Sequence, residues 1–281
     1  MKIFKNPKLN TVFSLILSFI MGICILACSL LCAVRFTVFN EDFLIETLNN
    51  TDYYPNLCSE ISENLMDIGD ASGLNKTFFE DFVDEVLVRR DVESYIYKFY
   101  SGRELKVNTT NFEKALRTAL NTYISQNGIK SESLSQKNIN YFVKEASDIY
   151  ASGIALKYFP SIQKSVMKYT TRFNIFIAVT AVVAIAIALF FIFTNEWKHI
   201  AVRYIYYAFS SAALFTFIIP AVVFASGIVS KLTILTRSLN YMYTACINSV
   251  FTVILVIAVV LIFISAVLVI VHNKLRKNAS G

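Results

Sequence analysis

Long runs without a charged residue alternate with polar segments along the chain. The runs cover residues 11–34, 173–195, 204–230 and 239–271. An apolar helix of about 20 residues matches the thickness of a bilayer core, so each run is long enough for one membrane span. The pattern therefore predicts four transmembrane helices, the last of which needs only residues 245–271.

The stretch between the first two runs has a different period. Its apolar residues recur every three or four positions, as in Phe112, Leu116 and Leu120, which is typical of amphipathic helices. We expect helices over residues 56–68, 77–88, 92–100 and 111–126, and one after Gln136. Asp91 is expected to cap the N-terminus of the helix at residues 92–100, and Gly102 to end that helix. Asn127 and Gly128 end the fourth, and Ser133 with Gln136 has the spacing of a capping box.

These patterns predict an all-α integral membrane protein with a helical bundle between its first two spans. The basic residues orient it, because positive charge in short loops favours the cytoplasm. Eight of them fall on one side of four spans: Lys2, Lys5, Lys8, Lys198, Arg203, Lys274, Arg276 and Lys277. We therefore expect both termini to be cytoplasmic and the bundle to be extracytoplasmic, in a cell membrane.

The predicted segments follow from these boundaries. They are a cytoplasmic N-terminus (1–10), span 1 (11–35), an extracytoplasmic helical domain (36–172), span 2 (173–195), a cytoplasmic loop (196–203), span 3 (204–230), an outer loop (231–244), span 4 (245–271) and a cytoplasmic tail (272–281).

Charge distribution removes one class of function. The chain carries a net charge of +6, yet residues 36–172 hold 19 acidic against 15 basic residues, a net −4. The positive excess thus lies at the membrane edges, where orientation explains it, and does not indicate nucleic-acid binding. The expected partners are the lipid bilayer and a membrane or envelope protein, and a homo-oligomer remains open.

Five cysteines raise separate questions. Cys24, Cys28 and Cys32 share one face of the first span, where small side chains let helices approach, although a metal or palmitate would also fit. The first run is longer than a signal core, so we expect an uncleaved anchor, with lipidation at Cys28 as a rival. Cys58 is alone in the predicted domain, so it is either buried and reduced, or bonded to a partner or to Cys246.

Catalytic chemistry has no signature in this chain. No zinc-protease, nucleophile-elbow, phosphate-loop or CxxC motif occurs, and the only histidines, His199 and His272, are predicted to be cytoplasmic. Paired acids such as Asp81 and Glu85, and the segment at residues 67–73, offer weak cation sites without EF-hand spacing. We expect no catalytic, cofactor or metal residues, and the absence of charge within the spans argues against ion-coupled transport.

An aromatic run is the best binding surface in the sequence. Tyr95, Tyr97, Phe99 and Tyr100 lie within six residues, and aromatic rings are common at recognition surfaces. The alternative is a core face with a membrane-facing rim. The pairs Tyr53–Tyr54 and Tyr158–Phe159 are also predicted to rest at the membrane interface, where aromatic residues are enriched.

The Tyr53-Tyr54 pair and the spacing of Tyr95, Ile96, Tyr100 and Gly102 give the chain a resemblance to a bacterial group. It resembles uncharacterised four-span membrane proteins of Gram-positive bacteria with a helical extracytoplasmic domain, which implies a fold but no activity. Its topology is also similar to that of FtsX- and MacB-type permeases. We expect a non-enzymatic multi-pass protein whose outer domain binds a partner or senses the envelope. The alternative is an accessory or permease-like subunit of a transport complex.

Overall fold

The computed structural model describes residues 7–127, 136–231 and 236–280. Within these ranges every regular element is helical, so the predicted all-α class is confirmed. The α-helices are α1 (Pro7–Phe36), α2 (Glu41–Asn49), α3 (Tyr53–Ala71), α4 (Glu85–Tyr100), α5 (Thr110–Gln126), α6 (Gln136–Ile154), α7 (Phe159–Thr194), α8 (Lys198–Ser226) and α9 (Arg237–Ser280), with 3₁₀ turns at Lys76–Phe78 and Val229–Lys231. The predicted turn at Gly128 and the capping residue Ser133 lie outside the described residues.

Four helical stretches are long and apolar enough to cross a membrane, which confirms a multi-pass membrane protein. They are Leu9–Phe36, a stretch within Gln136–Thr194 that includes α7, Lys198–Ser226 and Arg237–Ala279. Helix α9 begins inside the segment predicted as an outer loop, so part of that loop is helical.

The chain divides into two compact units. One, here called the membrane unit, contains Met1–Phe43, Lys168–Leu232 and Cys246–Gly281. The other, here called the inserted unit, contains Leu44–Met167 and Thr233–Ala245. Helices α7 and α9 each contribute residues to both units. The short stretch at Thr233–Ala245 joins the inserted unit through tertiary contacts that no local pattern predicts.

The membrane unit packs α1 closely against α8. A Cβ atom on Gly22 would lie 2.7 Å from the Ser211 hydroxyl and 3.4 Å from the Ala208 carbonyl oxygen, so a larger residue would require the Ser211 side chain to move. Ser18 donates a 2.7 Å hydrogen bond to the Tyr204 carbonyl. Small residues and hydroxyls of this kind are what hold membrane helices together, because apolar burial alone does not favour contact with protein over lipid.

The cysteine row of α1 lies beside this seam and not in it. The buried row of α1 is the neighbouring one, which includes Ser18, Gly22, Ile25, Ser29 and Ala33. Cys24, Cys28 and Cys32 are half-buried, and all five cysteines of the chain are free thiols. The contact between α1 and α8 is therefore made by small residues of α1 other than the cysteines, and Cys28 and Cys32 line a space among α1, α7, α8 and α9.

Helices α3, α4, α5 and α6 form the core of the inserted unit. Leu57, Ile61 and Leu65 of α3 are buried at the predicted spacing, as is Leu116 of α5. A Cβ atom on Gly153 of α6 would lie 2.6 Å from Cγ1 of Ile61. Helix α6 therefore approaches α3 closely at Gly153, where α6 has no side chain. Local periodicity and tertiary packing agree at these positions.

The segment before α4 departs from the prediction. A helix was expected over residues 77–88 with a new one capped by Asp91, whereas α4 runs unbroken from Glu85 to Tyr100. Its cap is Asp84, which accepts a 2.9 Å hydrogen bond from the Val86 amide. Asp91 lies inside the helix and accepts a 2.8 Å hydrogen bond from the Tyr150 hydroxyl. The closing residue was predicted correctly, because Gly102 has φ +69° just beyond the helix.

Aromatic packing explains this departure. Phe79 is fully buried, and Phe82 packs edge-on against Phe112 with ring centres 5.6 Å apart. Phe112 in turn stacks on Tyr150 at 4.3 Å. Phe79 and Phe82 thus pack into one aromatic cluster from the turns that precede α4.

The pairs predicted to rest at the membrane interface include core residues. Tyr53 and Tyr54 are 1% and 0% exposed, and Phe159 packs 4.2 Å from Phe99 between ring centres. Only Tyr158 is half exposed. The interfacial prediction is therefore wrong for three of the four, because protein and not lipid surrounds them. Pro160 does not break a helix, since it lies in the first turn of α7, where a missing N–H costs nothing.

A carboxylate fixes the start of α9 to α3. Glu60 accepts a 2.9 Å hydrogen bond from the Ser238 amide and a 2.6 Å bond from its hydroxyl. Free N–H groups and the helix dipole both favour an anion at a helix N-terminus. Ser238 is 2% exposed, so this pair lies largely out of solvent.

Candidate functional site

The inserted unit contains a groove of about 560 Å³ between the end of α3 and helices α5 and α6. Its walls are apolar, and its rim carries hydroxyl, amide and carboxylate groups. The wall residues are Ile68, Leu74, Leu120, Ile124, Ile139 and Phe142, and the rim residues include Ser72, Tyr123, Asn138, Tyr141 and Glu145. Ligand sites typically have volumes of about 300–1,000 Å³ and combine apolar walls with a few placed polar groups.

One wall of the groove depends on how α3 ends. The Leu74 amide donates to the Gly69 carbonyl at 2.9 Å, and the Gly73 amide donates to Asp70 at 3.0 Å. Together with φ +80° at Gly73, these bonds form a Schellman motif. The motif reverses the chain and places Leu74 beside the last turn of α3. The segment at residues 67–73, considered above as a cation loop, is thus the end of a helix.

The groove has little charge of its own. Glu145 is the single charged residue among the groove's described lining residues, and it is exposed on α6. Tyr123 presents a ring to the wall, and its hydroxyl accepts a hydrogen bond from the Asn75 amide at 3.4 Å. A ligand that fits this chemistry is apolar along its length and carries a positive charge at one point.

The four residues of the predicted partner surface do not share one surface. Tyr95 and Phe99 are 2% and 3% exposed, and both rings pack against Phe159. Burial raises the pKa of the Tyr95 hydroxyl. Tyr97 is exposed, with the Arg103 guanidinium 5.5 Å from its ring centre, and Tyr100 is half-buried. Tyr95 and Phe99 therefore form part of the core, as in the alternative considered above. Tyr97 is the accessible ring of the four.

The acidic pairs also have structural partners. Asp81 precedes α4, so it does not share a helix with Glu85 as the pattern predicted. Glu85 accepts a 2.8 Å hydrogen bond from Arg89, which also donates to Asn49 at 2.8 Å and stacks over the Tyr54 ring at 4.6 Å. Among the described residues, no group of three or more His, Cys, Asp or Glu side chains is placed to hold a metal ion.

Cys58 is a poor nucleophile in this setting. Burial, together with the negative charges of Glu85 and Asp84, raises the pKa of its thiol to about 12. A thiolate is the reactive form of cysteine, and very little forms at neutral pH when the pKa is this high. In the structure Cys58 is a half-buried free thiol.

A second cavity, of about 490 Å³, lies within the membrane unit among α1, α7, α8 and α9. Its lining is hydrocarbon apart from Cys28, Ser29 and Cys32. The Ser29 hydroxyl already donates to the Ile25 carbonyl at 2.8 Å. Such a space accommodates lipid chains but has no free polar group to select a ligand. The groove of the inserted unit is therefore the stronger site, and no single sequence motif marks it because three separate helices build it.

Comparison with known proteins adds no relative, since no family model, no curated protein and no solved structure matches this chain.

Proposed function

We propose that this chain is a non-enzymatic binding protein of a bacterial cell membrane, whose inserted unit lies outside the cytoplasm and binds a membrane or envelope protein. The orientation is supported by the eight basic residues that lie on one side if the chain crosses the membrane four times. The spans act as an anchor in this proposal, and the inserted unit carries the activity.

The groove between α3, α5 and α6 is the observation that carries the proposal. Its walls are mostly apolar, and its volume of about 560 Å³ suits a short peptide segment. Glu145 on the rim, in a region of net negative charge, favours a segment with a Lys or Arg beside its apolar residues. We therefore assign the groove to an apolar, basic segment of a partner protein.

The chemistry of the inserted unit supports binding over catalysis. Its sequence contains no histidine, and its single thiol has a pKa of about 12. Two neighbouring acids have structural roles, since Asp84 caps α4 and Glu85 forms an ion pair with Arg89. Acid–base catalysis near pH 7 depends on groups whose pKa lies close to that value.

Site-specific photocrosslinking in the native membrane tests the groove. A photoreactive residue replaces Tyr141, which lies on the rim, or Tyr97, which is exposed elsewhere on the inserted unit. We expect an adduct at position 141 and none at 97, with a crosslinked peptide that is apolar and contains Lys or Arg. Glu145→Lys should abolish the adduct, whereas Glu80→Lys, at an exposed acid outside the lining, should not. Equal adducts at both positions, or no effect of Glu145→Lys, would contradict the assignment.

A second function is favoured by a different observation. Helices α7 and α9 each contain residues of both units and each include one of the four candidate spans. This arrangement supports the alternative of a subunit in a membrane transport complex. Co-purification of a transport ATPase in near-equal amount from the native membrane would favour this function over the stand-alone one.

A further inference from the structure

One face of α8 in the membrane unit is turned toward α9. His199, Arg203, Tyr206 and Ser210 follow each other at intervals of four, three and four residues, which places them on one side of the helix. The His199 carbonyl lies 2.7 Å from Nδ1 of His272, and the Tyr206 ring centre lies 5.6 Å from that of His272. Ser210 is hydrogen-bonded to Ser265. These contacts define the seam between α8 and α9.

Arg203 belongs to this row of α8 by its spacing, and it has an unsatisfied donor. Its Nε atom is buried and has no hydrogen-bond partner among the described residues. One terminal nitrogen donates to the Tyr204 hydroxyl at 3.3 Å, and the guanidinium lies 5.1 Å from the Tyr204 ring centre. An arginine has five N–H donors in a fixed planar fork, and a buried donor without an acceptor is costly. The geometry therefore lacks an acceptor beside Arg203.

None of the described residues offers a carboxylate to Arg203. No ion pair of Arg203 occurs among the described residues, and the nearest acid along the chain, Glu196, is exposed. Arg203 also immediately precedes the charge-free run of α8, which places it where the apolar part of the span begins. The membrane surface or the solution can supply an acceptor at that position.

The surroundings of Arg203 select an anion. Lys274 and Arg276 follow His272 on α9, and both are exposed. Trp197 is 54% exposed, with its ring centre 6.1 Å from that of His199, so it can lie among lipid headgroups. Basic residues combined with interfacial aromatic rings between membrane helices are the chemistry that recognises anionic lipid headgroups.

We propose that this end of the α8–α9 seam binds the phosphate of an anionic phospholipid, with the Arg203 guanidinium as its principal donor. The phosphodiester oxygens accept from the guanidinium fork, as arginine and phosphate groups do when they pair in two parallel hydrogen bonds. Lys274 and Arg276 add a diffuse attraction. This lipid site would bind phosphate whether or not the groove binds a partner, and on either side of the membrane.

The test measures lipid retention by the purified full-length protein. Native mass spectrometry compares phosphatidylglycerol with phosphatidylcholine of the same chains, added to the protein in detergent. We expect phosphatidylglycerol to be preferred, and Arg203→Gln to weaken its binding about tenfold, a change of about 1.4 kcal/mol. The matched control is Arg276→Gln, which removes the same charge from an exposed site and should change binding only about twofold.

Three outcomes would overturn the proposal. Equal retention of the two lipids by the wild-type protein would show that no headgroup is selected. An equal loss of phosphatidylglycerol binding in Arg203→Gln and Arg276→Gln would show a diffuse attraction and no specific site. Displacement of phosphatidylglycerol by inorganic phosphate at the same concentration would show that the site takes a free anion and not a lipid. Arg203→Lys keeps the charge and the aliphatic stem if Arg203→Gln fails to fold, and wild-type binding by this variant would exclude a role for the guanidinium fork.

Discussion

Removal of the Tyr150 hydroxyl measures how much one hydrogen bond between α6 and α4 contributes to the stability of the inserted unit. Tyr150 is 2% exposed and donates a 2.8 Å hydrogen bond to Asp91, whose side chain is 15% exposed. Tyr150→Phe removes this bond and keeps the ring that stacks on Phe112 at 4.3 Å. Hydrogen bonds to charged groups contribute about 1.5–3 kcal/mol. Since Arg90 lies 3.4 Å from the same carboxylate and some water reaches it, we expect about 1.5 kcal/mol.

The labelling rate of Cys58 can report the loss of stability. Tryptophan fluorescence cannot, because the only tryptophan in the chain, Trp197, lies in the membrane unit. In a protein whose other four cysteines are replaced by alanine, Cys58 reacts with a maleimide mainly when the inserted unit opens, because its pKa in the folded state is about 12. A loss of about 1.4 kcal/mol raises the open fraction, and hence the labelling rate, about tenfold.

The matched control for this experiment is Tyr141→Phe, which removes a hydroxyl that is exposed on the same helix. We expect its labelling rate to equal that of the parent protein. If Tyr150→Phe labels no faster than Tyr141→Phe, the bond to Asp91 does not stabilise the inserted unit and the reasoning from its burial is wrong.

Three further changes test separate parts of the fold. Because the pKa of Cys58 is raised, the folded unit keeps a proton on this thiol that the unfolded chain loses above about pH 9. Thermal melts should therefore show that the stability of the protein falls between about pH 9 and 12, and that it falls less in Cys58→Ala. Gly153→Ala places a methyl group 2.6 Å from Ile61 and should cost about 1–3 kcal/mol in the labelling assay. Glu60→Ala leaves the buried Ser238 hydroxyl without its acceptor, so amide hydrogen exchange at the start of α9 should accelerate, and unchanged exchange would show that the cap is dispensable.

Local properties of the sequence determined the spans and much of the helical pattern. A run of 20 or more residues without charge is expensive in water wherever it occurs, so the four spans need no tertiary information. The stripe of Phe112, Leu116 and Leu120 in α5 is likewise a property of one helix, and all three are buried. Gly102 was recognisable because a residue that must adopt positive φ beyond a helix is most often glycine.

Only the tertiary structure decided which of several locally equivalent arrangements is formed. Asp84 and Asp91 can both cap a helix, but in the folded unit Asp84 caps α4 and Asp91 lies inside it, where it accepts a hydrogen bond from Tyr150 of α6. Tyr95 and Phe99 share a helix face in any case, but their burial depends on Phe159, some 60 residues away. The groove and the α8–α9 seam combine residues from separate helices, and no local pattern encodes the distance between side chains that meet only when the chain has folded.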